Sequence, residues 1–125
     1  VQHNGQVGDP DEPNTLGWYI HPMLRPCEGE IVFQKRTPSA FHGTTLHPTL
    51  QSQQIERLII MGLQTEFCID TTVRHAYNLG YEVLLVEDGH STYSSPTLTA
   101  AQIITHHNNT LEIFADVVGA NDVEF

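Results

Sequence analysis

Hydrophobic positions in this 125-residue chain fall into continuous runs and periodic stripes. Leu58-Ile59-Ile60-Met61, closed by Gly62, and Tyr81 to Val86, closed by Glu87-Asp88-Gly89, are continuous, as in parallel strands covered on both faces. Between them Ile69, Val73, Ala76 and Tyr77 recur at i, i+4, i+7 and i+8, which predicts a helix from about Glu66 to Leu79. Thr65 is its expected N-cap and Gly80 its stop. Thr99-Ala100-Ala101-Gln102 has capping-box spacing and opens a further helix, with Ala100, Ile103, Ile104, His107 and Leu111 on one face. Ile31 to Gln34 reads as a short strand, Leu46 to Gln54 as a short helix, and Phe114 to Val118 as a last strand. Residues 4–30 are rich in Gly, Pro, Asp and Glu, with apolar anchors only at Leu16, Trp18, Tyr19, Ile20 and Leu24, and read as a long irregular connection. Buried strands alternating with helices define the α/β class with a parallel sheet.

Composition narrows the function. A chain of this length with 39% hydrophobic and 16% charged residues makes one globular domain. Fifteen acidic against five basic residues give 5 − 15 = −10, a surface that repels phosphate backbones and anionic lipid heads. Nucleic acid and membrane are therefore not expected partners. No apolar run approaches the roughly 20 residues that span a bilayer, and the first residues lack the basic-then-apolar order of a signal peptide, so a cytoplasmic setting is expected. Cys27 and Cys68 are too few for a disulfide framework and are expected to be reduced. There is no glycine-rich phosphate loop, and no cofactor is expected.

In open α/β sheets ligands bind beyond the C-terminal ends of the strands. Leu63-Gln64-Thr65-Glu66-Phe67-Cys68 follows one buried run, and with Thr65 as N-cap Cys68 stands in the first helical turn, where unpaired backbone N–H groups stabilise a thiolate. The competing reading is a small apolar residue packed under the helix. Lys35, the sole lysine, follows the Ile31 to Gln34 run and would reach the same rim of the sheet; otherwise it is a solvated charge beside Arg36. Trp18, Phe41 and Phe67 read equally as pocket aromatics or as loop anchors.

GLQTEFC, HAYNLGYEV, EDGHSTY and LTAAQIITHHN, preceded by VFQKRTPSAF, resemble in order the isochorismatase-like cysteine hydrolase superfamily. The resemblance implies a three-layer α/β/α fold around a six-stranded parallel sheet and an Asp, Lys, Cys triad. It makes Cys68 the nucleophile and Lys35 the triad lysine. It also implies a non-proline cis peptide at Leu63-Gln64, with the backbone N–H groups of Gln64 and Cys68 facing the developing oxyanion. The implied reaction is attack on an amide-type C–N carbonyl of a small molecule, a thioester acyl-enzyme, then hydrolysis.

The family's triad aspartate lies at the end of its first strand, in a segment with no counterpart here, and Val1-Gln2-His3 resembles the close of the second strand. Residues 1–125 are thus expected to be the C-terminal portion of such a domain, its first strand and helix supplied by an upstream segment or another polypeptide. Asp9, Asp11, Asp70 and Asp88 are not positioned to replace the aspartate. The Asp-x-His metal motif of related nicotinamidases is matched only by Gln2-His3-Asn4-Gly5, so no metal is expected. His3, at the rim, is instead a candidate for hydrogen-bonding substrate. A homo-oligomer is expected, with Trp18 and the C-terminal Val123-Glu124-Phe125 as candidate contacts. The rival reading is a catalytically inactive fragment or subunit that serves as a binding or assembly module.

Overall fold

The computed structural model describes residues 1–124; Phe125, one of the residues expected at an interface, lies outside them. The chain order is β1 (Gln2–His3), β2 (Gln34–Lys35), α1 (Leu46–Ser52), β3 (Arg57–Leu63), a π-helical turn (Thr65–Ile69), α2 (Asp70–Asn78), β4 (Glu82–Ser91), α3 (Ala100–Leu111) and β5 (Asp116–Val118). Short 3-10 turns lie at Pro22–Leu24 and Ala120–Asp122. All strand pairs are parallel, in two sheets of order β1-β2 and β3-β4-β5. This is the expected α/β class, but the described residues form a two-stranded and a three-stranded sheet where the resemblance implied one of six.

β4 is the middle strand of its sheet, which explains its unbroken apolar run: Val83, Leu84, Leu85 and Val86 are all buried, as a strand covered on both faces requires. Phe41, Ile69, Val73, Ala76, Tyr81, Val83, Leu85 and Leu111 form the core, with Phe41 stacked on Tyr81 at 5.9 Å between ring centroids. The Tyr81 hydroxyl meets His47 Nδ1 at 2.8 Å, and burial raises the phenol pKa above its ordinary value. Tyr77, expected on the α2 stripe, is 49% exposed at its edge, in edge-to-face contact with Phe114. Arg74, paired with Asp70 one turn earlier, covers the same Phe114 ring at 4.5 Å.

Several expected boundaries move for identifiable reasons. The strand expected over Ile31 to Gln34 begins only at Gln34, because β1 offers just the Gln2 and Asn4 amides, which bond the carbonyls of Phe33 and Lys35 at 2.8 Å each; Ile31 is 58% exposed. α1 ends at Ser52, with Gln54 in the left-handed region at φ 57°. β5 starts at Asp116, since the Phe114 and Ala115 amides turn back to the Leu111 carbonyl and close α3. The capping box opens α3 as expected: Thr99 Oγ1 accepts from the Gln102 amide, and the Gln102 side chain accepts from the Thr99 amide. Gly80 ends α2 with φ +89°, a conformation open to glycine at little cost. The strand expected to stop at Val86 runs on to Ser91, and Glu87-Asp88-Gly89 lie inside it.

No helix of the described residues is long and apolar enough to cross a membrane. Because Leu85 is fully buried in the central strand, Leu85→Ala is expected to cost about 2–5 kcal/mol, read from the urea midpoint at unchanged m-value.

Candidate active site

β2 ends at Lys35, and β3 ends at Leu63, where the chain turns into the helix that carries Cys68. Both strand ends deliver their residues to one place: Lys35 Nζ lies 3.0 Å from Cys68 Sγ. Lys35 is only 7% exposed, and its ammonium also donates to the carbonyls of Thr37 (2.9 Å) and Pro38 (3.0 Å). An ammonium has three N–H donors, and these three acceptors use all of them. Among the described residues the ion pairs are His3–Asp11, Arg57–Glu82 and Arg74–Asp70, so no carboxylate faces Lys35.

The loop that supplies the two carbonyls is clamped to α2. The Ala40 amide donates to Thr72 Oγ1 at 3.1 Å, and the Phe41 amide donates to Ser39 Oγ at 3.2 Å. Ser39 Oγ in turn hydrogen-bonds His75 Nδ1 at 2.7 Å. The helical segment that holds the sulfur therefore also holds the frame around the ammonium.

The turn before Cys68 differs in detail from the expectation. Gln64, not Thr65, is the N-cap residue, and Thr65 is the first residue of a π-helical turn in which the Ile69 and Asp70 amides bond the carbonyls of Gln64 and Thr65, five residues back. The Thr65 hydroxyl does not cap the helix; it bonds His90 Nδ1 at 2.9 Å. The Leu63-Gln64 peptide is cis, as the resemblance implied.

A cavity of about 340 Å³ opens beside the sulfur, lined by Lys35, Phe41, Cys68, Ile69, Thr72 and β3 from Leu58 to Leu63. Of the residues expected to meet substrate, only Phe41 reaches it. His3 Nδ1 meets Asp11 Oδ2 at 2.8 Å, and Trp18 Nε1 donates to Asn4 Oδ1 at 2.7 Å, which ties the 4–18 loop together. Phe67 is 54% exposed on the outer side of its turn. A wider groove of about 610 Å³, lined by Ile20, Leu24, Ile31 and Val32 among others, contains neither Lys35 nor Cys68. No group of three or more His, Cys, Asp or Glu among the described residues is arranged to hold a metal. Cys27 is exposed in its loop and does not line this cavity.

Sequence reasoning missed Thr65 and His90 as partners, the Ser39–His75 pair and the Thr72 clamp. Each joins segments at least 25 residues apart through polar side chains, which leave no periodic trace.

A parallel α/β scaffold with a lysine and a cysteine joined at the strand ends defines the class, and comparison with known proteins names it. The family model for the Isochorismatase domain matches residues 2–121, and the chain belongs to that family. It is 34% identical over 96 residues to a streptothricin hydrolase of Streptomyces noursei, covering 77% of this chain and 35% of that protein. It is 35% identical over 65 residues to the ureidoacrylate amidohydrolase RutB of Variovorax paradoxus, covering 52% and 26%. Among solved structures, an isochorismatase from Pseudomonas putida superposes with a TM-score of 0.91 at 36% identity, covering 98% of this chain and 66% of that one. The chain spans from about a quarter to about half the length of such relatives.

Thr72→Val removes the acceptor of the buried Ala40 amide and is expected to cost about 1–3 kcal/mol in urea unfolding, whereas Thr72→Ser, which keeps the hydroxyl, stays near the parent protein.

Proposed function

We propose that this protein is a cysteine-dependent hydrolase that cleaves an amide-type C–N bond of a small molecule through a thioester. The observation that carries this reading is the 3.0 Å contact between the buried Lys35 ammonium and Cys68 Sγ. A buried cation is costly without polar partners, and with no carboxylate beside it among the described residues the sulfur is the one side chain that Lys35 faces. The two hydrolase relatives support the reaction class.

In this mechanism the Cys68 thiolate attacks the carbonyl carbon, and the backbone N–H groups of Gln64 and Cys68 receive the developing oxyanion. Collapse breaks the C–N bond, and the leaving nitrogen takes a proton from Lys35. Water then adds to the thioester, returning a proton to the Lys35 amine, and the acid product leaves as Cys68 recovers its thiolate. A carboxylate near Lys35 would steady its charge through both steps. Among the described residues β1 pairs only with β2 and β3 only with β4, and the cavity runs along β3, so a further strand seated between β1 and β3 would bring such a group to this rim. Phe41 forms an apolar wall of the substrate site.

The test is acylation by p-nitrophenyl acetate, followed as a burst of nitrophenolate and a gain of one acetyl group in intact mass. Cys68→Ala is expected to abolish both without loss of fold, and full activity in that variant would refute the assignment. Lys35→Met is expected to slow iodoacetamide alkylation of Cys68 at neutral pH by about tenfold. Under the competing reading of a silent binding or assembly module, Cys68 of the parent protein would alkylate no faster than free cysteine.

A further inference from the structure

β4 leaves its register with β3 near the site. Ile60 faces Leu85 and Gly62 faces His90, so Val86 to Gly89 stand against the single residue Met61. Gly89 closes this bulge: a Cβ there would come within 2.8 Å of the Val86 Cβ and 3.2 Å of the Met61 Cβ, so the close approach requires glycine. The excursion returns His90 to the sheet beside the turn that leads to the nucleophile, where it is 5% exposed.

The surroundings fix the proton positions on this imidazole. Asn108 Nδ2 donates to the Glu87 carbonyl at 3.2 Å, which orients the amide so that Oδ1 faces His90 Nε2 at 2.8 Å. An amide oxygen only accepts, so Nε2 carries hydrogen. In the neutral ring Nδ1 is then an acceptor, and the group that faces it, at 2.9 Å, is the hydroxyl of the fully buried Thr65. A threonine in this turn could instead have acted as an N-cap, its oxygen claiming the amide two or three residues on, which is Phe67 or Cys68 itself. His90 instead draws the hydroxyl to β4.

We infer that His90, oriented by Asn108, is a positioning residue of the Cys68 site: by accepting a hydrogen bond from the Thr65 hydroxyl it holds the Gln64 to Cys68 backbone for oxyanion binding. The inference rests on Cys68 being the nucleophile. It separates two properties of the site, since alkylation by iodoacetamide reports the thiolate alone while acylation also requires the oxyanion donors.

The experiment compares the parent protein with Thr65→Val, Thr65→Ser, His90→Ala and His90→Asn, using iodoacetamide and p-nitrophenyl acetate as probes. Thr65→Val and His90→Ala are expected to alkylate within about twofold of the parent but to acylate roughly 10- to 100-fold more slowly. Thr65→Ser keeps the hydroxyl and retains the rate. His90→Asn places an amide oxygen near the Nδ1 position and recovers most of the loss. Nitrogen-15 NMR of the parent is expected to show His90 as the neutral tautomer protonated at Nε2. The inference is overturned if the two rates fall together, if His90→Asn acylates no faster than His90→Ala, if Thr65→Val acylates normally, or if Nδ1 bears the proton. A parent protein that alkylates but is never acylated overturns the hydrolase reading and this role with it; normal parent acylation with an unaffected Thr65→Val overturns this inference alone.

Discussion

The structure turns on a buried ammonium. Lys35 spends its three donors on two loop carbonyls and one sulfur, so the loop, the end of β2 and the turn that carries Cys68 must keep their places together. That demand explains why residues 37–41 are tied down by Thr72, Ser39 and His75 although they belong to no regular element. A cation desolvated without its acceptors would be costly, so hydrogen bonds that look incidental in a list of loop contacts carry the stability of the site.

The core and the site depend on each other through the helical segment that begins at Thr65. Its later turns bury Val73 and Ala76 against Val83 and Leu85 of the central strand, which fixes the axis. Its first turn presents Cys68 to Lys35, and His75, further along, reaches back to the lysine loop. Apolar packing thus sets the position of the helix, and polar contacts at its start set the orientation of its reactive end.

What was legible in the sequence was what repeats or runs on. Unbroken apolar stretches marked β3 and β4, the stripe from Ile69 to Ala76 marked α2, and the capping box marked α3. Lys35 and Cys68 were visible as chemistry at strand ends, one because it is the sole lysine and the other from its place after a buried run. Strand pairing was not legible: Ile31 and Val32 have the composition of a strand but no neighbour to bond, and Glu87-Asp88-Gly89 reads as a terminator although it bulges within β4. Thr65 was misassigned because a threonine before a helix usually caps it, and its true partner lies 25 residues on, beyond any local rule. Trp18 and Phe67 were sensible pocket candidates by residue type, but an aromatic ring in a loop is equally well used to anchor that loop, as Trp18 does through Asn4.

The π-helical turn has a consequence for the phase of the helix. Such a turn holds about one more residue than an α-turn, so Thr65 at its start is offset from where a uniform helix through Ile69, Val73 and Ala76 would place it. Rewound as a uniform α-helix, the chain would keep its hydrophobic stripe and scarcely move Cys68, one residue from Ile69, but would turn Thr65 about the axis away from His90. The site is therefore encoded partly in the winding of this turn: the same side chains in the same order on an even helix would keep the core pattern and lose the Thr65–His90 contact.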